Sequence, residues 1–250
     1  MQDKNVPMLD RRYWVTILIA SVLGTTFGDF VSNDLKLGFA GGFLALSVVI
    51  AVIFIAEHKV KWNSVAWYWA AIVATRTAAT NLGDFLTRTL KLGNGLIAVL
   101  LAGLLIAFLL VPRHVRKATS LSSDTNNVRK LLPKTNTHYW VAILIASTLG
   151  TALGDFISGD LGLGLGLGSL FVVIVLAVVL VFEISARSTN EARYWAVIAV
   201  VRTTGTVLGD YLTSEEGLHL GFAAGASLVG SLLVIILLWP RTLALPHFKR

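Results

Sequence analysis

Residues 13–30 read YWVTILIASVLGTTFGDF, and the same frame returns as YWAAIVATRTAATNLGDF at 68–85, YWVAILIASTLGTALGDF at 139–156 and YWAVIAVVRTTGTVLGDY at 194–211. Each copy opens on a Tyr-Trp pair and reaches an aspartate sixteen residues after the tyrosine, giving Asp29, Asp84, Asp155 and Asp210. The residues between are mostly apolar or small, and a helix of roughly 20 such residues crosses a hydrocarbon core of about 30 Å. A second apolar stretch follows every copy, so the repeating unit is a pair of helices. Eight stretches result, near 13–33, 37–57, 66–88, 92–112, 139–158, 161–184, 193–213 and 218–239. Their apolar runs are continuous, without ten-residue alternation, which excludes a β-barrel.

Composition agrees. The 250 residues are 55% hydrophobic and 14% charged, with a mean hydropathy of +0.75, more apolar surface than a water-soluble core can hide. The expected fold is an all-α, polytopic transmembrane bundle of eight helices. Each repeat runs out and back, so the four are parallel and their symmetry axis lies along the membrane normal. The starts at 13, 68, 139 and 194 define a first half, 13–112, and a second, 139–240. A polar linker at 113–138 joins them, and short tails cover 1–12 and 241–250. Arg76 and Arg202 stand where the odd repeats carry Ser21 and Ser147, the mark of a pseudo-twofold built on an older pseudo-fourfold.

Charge gives orientation. With the N-terminus, the even-numbered loops and the C-terminus on one side, sixteen Lys/Arg collect there, against Lys36, Arg88 and Lys91 opposite. That bias places both termini in the cytoplasm, with the chain in the plasma (inner) membrane. The net charge of +7 is thus spread over loops and tails, and nucleic acid is not an expected partner. Membrane lipid is, and a homo-oligomer is compatible with the sequence. The linker, rich in Ser, Thr, Asn, Lys and Arg, reads as a solvated tether. The charged front before residue 13 resembles that of a signal peptide, but the run continues into the recurring GTTFGDF and so belongs to the fold. The four Tyr-Trp pairs read as interfacial anchors.

Four tandem repeats of two transmembrane helices, each with a marked tryptophan, resemble the bacterial membrane-protein family known only as a repeat of unknown function. The resemblance covers the chain apart from its tails and connector. It implies a membrane-embedded helical repeat and brings no activity, so function rests on the side chains.

Those side chains are patterned. Thr25, Thr80, Thr151 and Thr206 precede the aspartates by four residues, and Ser32, Thr87, Ser158 and Thr213 follow by three. Positions i−4, i and i+3 share a helix face, so each odd helix carries a stripe of hard oxygen ligands. Gly28, Gly83, Gly154 and Gly209, with Gly24, Ala79, Gly150 and Gly205 four residues earlier, form small-xxx-small notches that let helices approach closely. At about 1.5 Å per residue the aspartates lie about 24 Å from the aromatic end, in the outer third of the membrane. Arg76 and Arg202 lie near the middle, and Glu57 and Glu183 are their expected ion-pair partners. The returning helices begin glycine-rich, which suits either packing notches or loosened starts that expose carbonyls.

Oxygen ligands around a common axis replace a cation's hydration shell. A membrane transport protein, channel or carrier, for a hard cation is therefore the leading expectation, with Asp29, Asp84, Asp155 and Asp210 as metal or proton ligands. Carboxylates drawn together repel one another unless a cation or proton stands between them. The chain has no cysteine, only Met1 and Met8 as methionines, and histidines confined to helix ends, loops and tails. Mg²⁺, Mn²⁺, Ca²⁺, Na⁺ or H⁺ is thus expected over a soft metal, with no resident cofactor. The alternative is a non-transporting membrane scaffold or regulator in which Gly-Asp merely caps helices. The chain is not expected to be an enzyme: Gly-Asp within a helix resembles intramembrane aspartyl proteases, but the position three before the aspartate is Thr26, Asn81, Ala152 or Val207 and never glycine.

Overall fold

Asp10 and Asn136 start the two halves alike. Each side chain accepts the backbone N–H of the tyrosine three residues on, at 2.7 and 2.9 Å, satisfying a donor that a helix N-terminus otherwise leaves open. The computed structural model describes residues 6–7, 9–59, 64–119, 135–185 and 191–239. Its helices are α1 (Arg11–Asp29), α2 (Gly38–Lys59), α3 (Ser64–Asp84), α4 (Asn94–Thr119), α5 (Thr137–Asp155), α6 (Gly164–Ser185), α7 (Glu191–Thr213) and α8 (Phe222–Leu238). No strand occurs among the described residues. Helix α4 runs seven residues past the expected end at 112, into the stretch read as linker.

Three of the outward helices change pitch at the aspartate. A π-helical turn follows α1, α3 and α5, at Phe30–Asp34, Phe85–Thr89 and Phe156–Asp160, whereas α7 stays α-helical to Thr213. The chain then reverses through one geometry used four times. Lys36, Lys91, Gly162 and His219 take positive φ, and so do Gly38, Gly93, Gly164 and Gly221 two residues later. Glycine removes the steric cost at the second of these positions, and each returning helix begins at or just after it. Those glycines therefore turn the chain. Others act as notches: a Cβ on Gly42 would sit 2.5 Å from Asn81 Oδ1, and one on Gly225 2.8 Å from the Thr213 methyl.

Helices α1, α3, α5 and α7 pack in that order as a closed ring. The returning helices lie outside it, each on the outward helix of the next repeat: α2 on α3, α4 on α5, α6 on α7 and α8 on α1. The Arg12 guanidinium locks the last contact by donating to the final carbonyls of α8, those of Ile236 and Leu237, which a helix C-terminus leaves unsatisfied.

The small-xxx-small notches explain how the ring closes. Cβ atoms added at Gly28, Gly83, Gly154 and Gly209 would lie 2.7 to 3.0 Å from the side chains of Thr80, Thr151, Thr206 and Thr25 respectively, each on the next helix around. One turn deeper, Gly24 admits the stem of Arg76, Gly150 that of Arg202, and Gly205 the side chain of Ser21. Every inner helix thus offers bare backbone to its neighbour on one side and fills the next notch on the other, as membrane helices do where close packing drives association.

Polarity is arranged inside out relative to a water-soluble protein. Buried polar residues include thirteen threonines, Asn81, Arg76 and Arg202, most of them on the inner ring. The outer helices expose Val99, Phe182 and Leu238 at 71%, 73% and 77%, an apolar jacket suited to lipid. Among the described residues four helical segments are long and apolar enough to cross a membrane, Arg11–Asp34, Gly38–Ala56, Thr137–Asp160 and Gly164–Ser185. Arg76 and Arg202, on α3 and α7, are fully buried within the ring.

Candidate functional site

The inner bundle carries its chemistry in layers, because residues at equal distance from each repeat start meet across the ring. In the first layer Tyr13, Tyr68, Tyr139 and Tyr194 close a square of hydroxyls. Tyr13 meets Tyr68 and Tyr194 at 2.9 Å, and Tyr139 meets the same two at 2.8 Å. A hydroxyl donates once and accepts twice, so four of them complete a cycle unaided. The tryptophan of each Tyr-Trp pair packs on the tyrosine of a neighbouring helix: Trp14 on Tyr194, Trp69 on Tyr13, Trp140 on Tyr68 and Trp195 on Tyr139, with centroids 5.7 to 6.1 Å apart. The expected interfacial anchors are instead a buried plug. Trp14, Trp69 and Trp195 are buried with the tyrosines, and the indoles serve as walls of the ring.

Eight residues on lie Ser21, Arg76, Ser147 and Arg202. Arg76 reaches all three other inner helices. Its Nη1 donates to Ser147 O (2.8 Å) and Thr151 Oγ1 (2.9 Å), and its Nη2 to Thr25 Oγ1 (2.8 Å), Thr206 Oγ1 (2.6 Å) and Arg202 O (3.3 Å). Among the described residues Arg202 makes one hydrogen bond, from Nη1 to Ser21 Oγ at 2.9 Å.

This corrects the expected pairing of Arg202 with Glu183. Arginine stems seated in the notches of Gly24 and Gly150 are committed to the ring interior, while α6, which carries Glu183, packs from outside. Arg76 likewise directs both Nη groups to hydroxyls and carbonyls of the ring; the side chain of its expected partner, Glu57, lies outside the described residues.

Asp29, Asp84 and Asp155 end α1, α3 and α5, and Asp210 lies in the last turn of α7; the first two are buried and the others half-buried. Asp29 and Asp210 stand on α1 and α7, which pack against each other in the ring. Between the other two stands Arg88, on the π turn after α3 and 60% exposed. Its Nε is 3.0 Å from Asp84 Oδ1, and its Nη2 is 3.4 Å from Asp155 Oδ2. Neither Asp29 nor Asp210 forms an ion pair with a described residue.

The four-carboxylate metal cage is not formed. Among the described residues no three acidic or histidine side chains are close enough to hold a metal ion; one aspartate per helix spreads the carboxylates around the ring, and Arg88 fills one gap. The hydroxyl stripes also divide. Thr25, Thr151 and Thr206 accept from Arg76, while Thr80 donates to the Arg76 carbonyl. Ser32, Thr87, Ser158 and Thr213 donate to carbonyls of their own helices.

Sequence reasoning missed Arg88, counted only as a loop charge, and the tyrosine hydroxyls. Both carried a signal: Arg88 stands four residues after Asp84, a spacing that pairs side chains on a helix, and all four repeats keep tyrosine where phenylalanine would serve as an anchor.

The family described as Repeat of Unknown Function (DUF347) matches this chain four times, at residues 12–62, 67–117, 138–189 and 193–242. No curated protein and no solved structure matches it.

Proposed function

This chain belongs to the DUF347 repeat family, and we propose that it is a multi-pass membrane transport protein binding a hard cation, the proton included, at the aspartate end of its inner bundle. One observation carries the reading: four inner helices bring four carboxylates to one end, and among the described residues only Asp84 and Asp155 pair with a cation of the protein itself. Asp29 and Asp210, on the adjacent helices α1 and α7, need a proton or an external cation between them.

Two carboxylates supplemented by the remaining lone pairs of Ser32 and Thr213 suit Na⁺ or H⁺, or a divalent ion that keeps part of its water shell. No catalytic role is assigned to the aspartates. Below this site the axis holds Arg76, Arg202 and the tyrosine square, so passage requires a second conformation, which favours a carrier over an open channel. The lysine and arginine distribution argues for the plasma membrane, cytoplasmic termini and an outward-facing aspartate end.

The test is cation binding and flux with purified protein in proteoliposomes. Binding of Na⁺ or Mg²⁺ should weaken as pH falls, because protons compete for the same oxygens. Asp29→Asn with Asp210→Asn should lower affinity at least tenfold and abolish flux without loss of folded protein. Unchanged flux in that double variant sinks the proposal. The closed tyrosine square favours a competing reading, a non-transporting scaffold, under which the wild type carries no cation at all.

A further inference from the structure

The middle of the inner ring holds two arginines with no carboxylate hydrogen-bonded to either. Arg76 and Arg202 are fully buried and belong to one four-residue layer with Ser21 and Ser147. Arg76 Nη2 lies 3.3 Å from the Arg202 carbonyl, so the first guanidinium reaches across the ring to the backbone of the second. Within this layer Arg76 Nε, Arg202 Nε, Arg202 Nη2 and Ser147 Oγ are buried and have no hydrogen-bond partner in the protein. Four donors are thus left open at one level of a bundle whose other buried polar groups are largely satisfied.

Like charges confined in a medium of low dielectric repel strongly, and buried N–H donors without acceptors lose the water they had in the unfolded chain. A water molecule would answer the hydrogen bonds and leave the charge. The carboxylates at the aspartate end act on Arg76 only through space, and two of them are already engaged by Arg88. In the tyrosine layer the hydroxyls are occupied with one another. What the layer lacks is an acceptor that also carries negative charge. Guanidinium groups and hydroxyls are the groups that bind such an acceptor.

We propose that the Ser21–Arg76–Ser147–Arg202 layer is a binding site for one small inorganic anion of halide size, held between the two guanidiniums by Arg76 Nε, Arg202 Nε and Nη2, and Ser147 Oγ. The site is separate from the aspartate end and does not depend on cation transport there.

Diffraction from wild-type protein crystallised in sodium bromide, with data at the bromine absorption edge, tests this without any variant. An anomalous peak within hydrogen-bond distance of Arg202 Nη2 and Arg76 Nε is expected. Density there without anomalous signal would mean water and overturn the proposal. In parallel, exchanging gluconate for chloride at constant ionic strength should raise the melting temperature of the wild type by several degrees. Arg202→Met should lose that chloride response; an unchanged response in Arg202→Met would also overturn it. Asp29→Asn with Asp210→Asn should keep the response, which separates this site from the proposed cation site.

Discussion

The two ends of the inner bundle solve one problem in opposite ways. Both place four identical polar side chains, one per repeat, around the same ring. Tyrosine hydroxyls are donor and acceptor at once, so Tyr13, Tyr68, Tyr139 and Tyr194 satisfy one another and keep the fourfold arrangement. Ionised carboxylates only accept, so Asp29, Asp84, Asp155 and Asp210 cannot do the same. They need a cation from outside the pattern, and Arg88, present in one repeat only, serves two of them. Self-complementary groups preserve a repeat symmetry and seal; groups of one sign must break it, and the break leaves a place for a ligand. The middle layer follows the same rule, with serine and arginine alternating around the ring.

Both ends depend on the notches that hold the four helices in register, so the largest effect is expected there. A Cβ at residue 150 would stand 2.5 Å from Arg202 Cβ, 2.7 Å from its carbonyl carbon and 2.9 Å from Thr203 N. Backbone cannot swing aside as a side-chain tip does. Gly150→Ala should therefore cost about 2–3 kcal/mol of stability despite alanine's better helix propensity, and should loosen the tyrosine and aspartate ends together. Gly103 on α4 has nothing within 4 Å of an added Cβ, so Gly103→Ala should be neutral or stabilise by up to about 1 kcal/mol. Thermal unfolding in detergent compares the two; equal effects would refute the notch account.

At the tyrosine end, Tyr139→Phe removes two hydrogen bonds and leaves the hydroxyls of Tyr68 and Tyr194 with one partner each. The expected loss is about 1–2 kcal/mol. Replacing all four tyrosines by phenylalanine leaves no orphaned hydroxyl, so the quadruple variant should lose far less than four times the single effect. Additive losses would show that the hydroxyls do not act as a closed set.

Much of the architecture was legible because it is periodic. The constant spacing from tyrosine to aspartate fixes which residues share a layer, and glycine at two positions one turn apart marks the face that meets a neighbour. What periodicity does not give is the direction of a long side chain. Arg202 and Glu183 stand at heights that suggest a pair; yet the notch at Gly150 that receives the Arg202 stem faces the ring, and height without azimuth misleads. The tyrosines were misread for a related reason. Aromatic residues at a helix start suit a membrane interface, and only closure of the ring, a property of four segments together, buries them. The π turns after Asp29, Asp84 and Asp155 have no counterpart after Asp210.

The smallest change in stability, and the sharpest probe of the two-ends comparison, belongs to Arg88. Its side chain is 60% exposed, so solvent and salt screen its ion pairs, and Arg88→Gln should alter stability by no more than about 1 kcal/mol. Its effect on binding should be larger. In the wild type, Asp84 and Asp155 are held by Arg88 while Asp29 and Asp210 are open, so Asn at 29 or 210 should weaken cation binding more than Asn at 84 or 155. Once Arg88 becomes glutamine, all four carboxylates lack a fixed cation and the end regains the equivalence that the tyrosine end already has. The four single Asn substitutions should then weaken binding to similar extents, and total cation uptake should rise. Titration of the cation against the four Asn variants in both backgrounds measures this directly. If their ranking is the same with and without Arg88, the asymmetry of the aspartate end has another origin, and Arg88 is only an exposed surface charge.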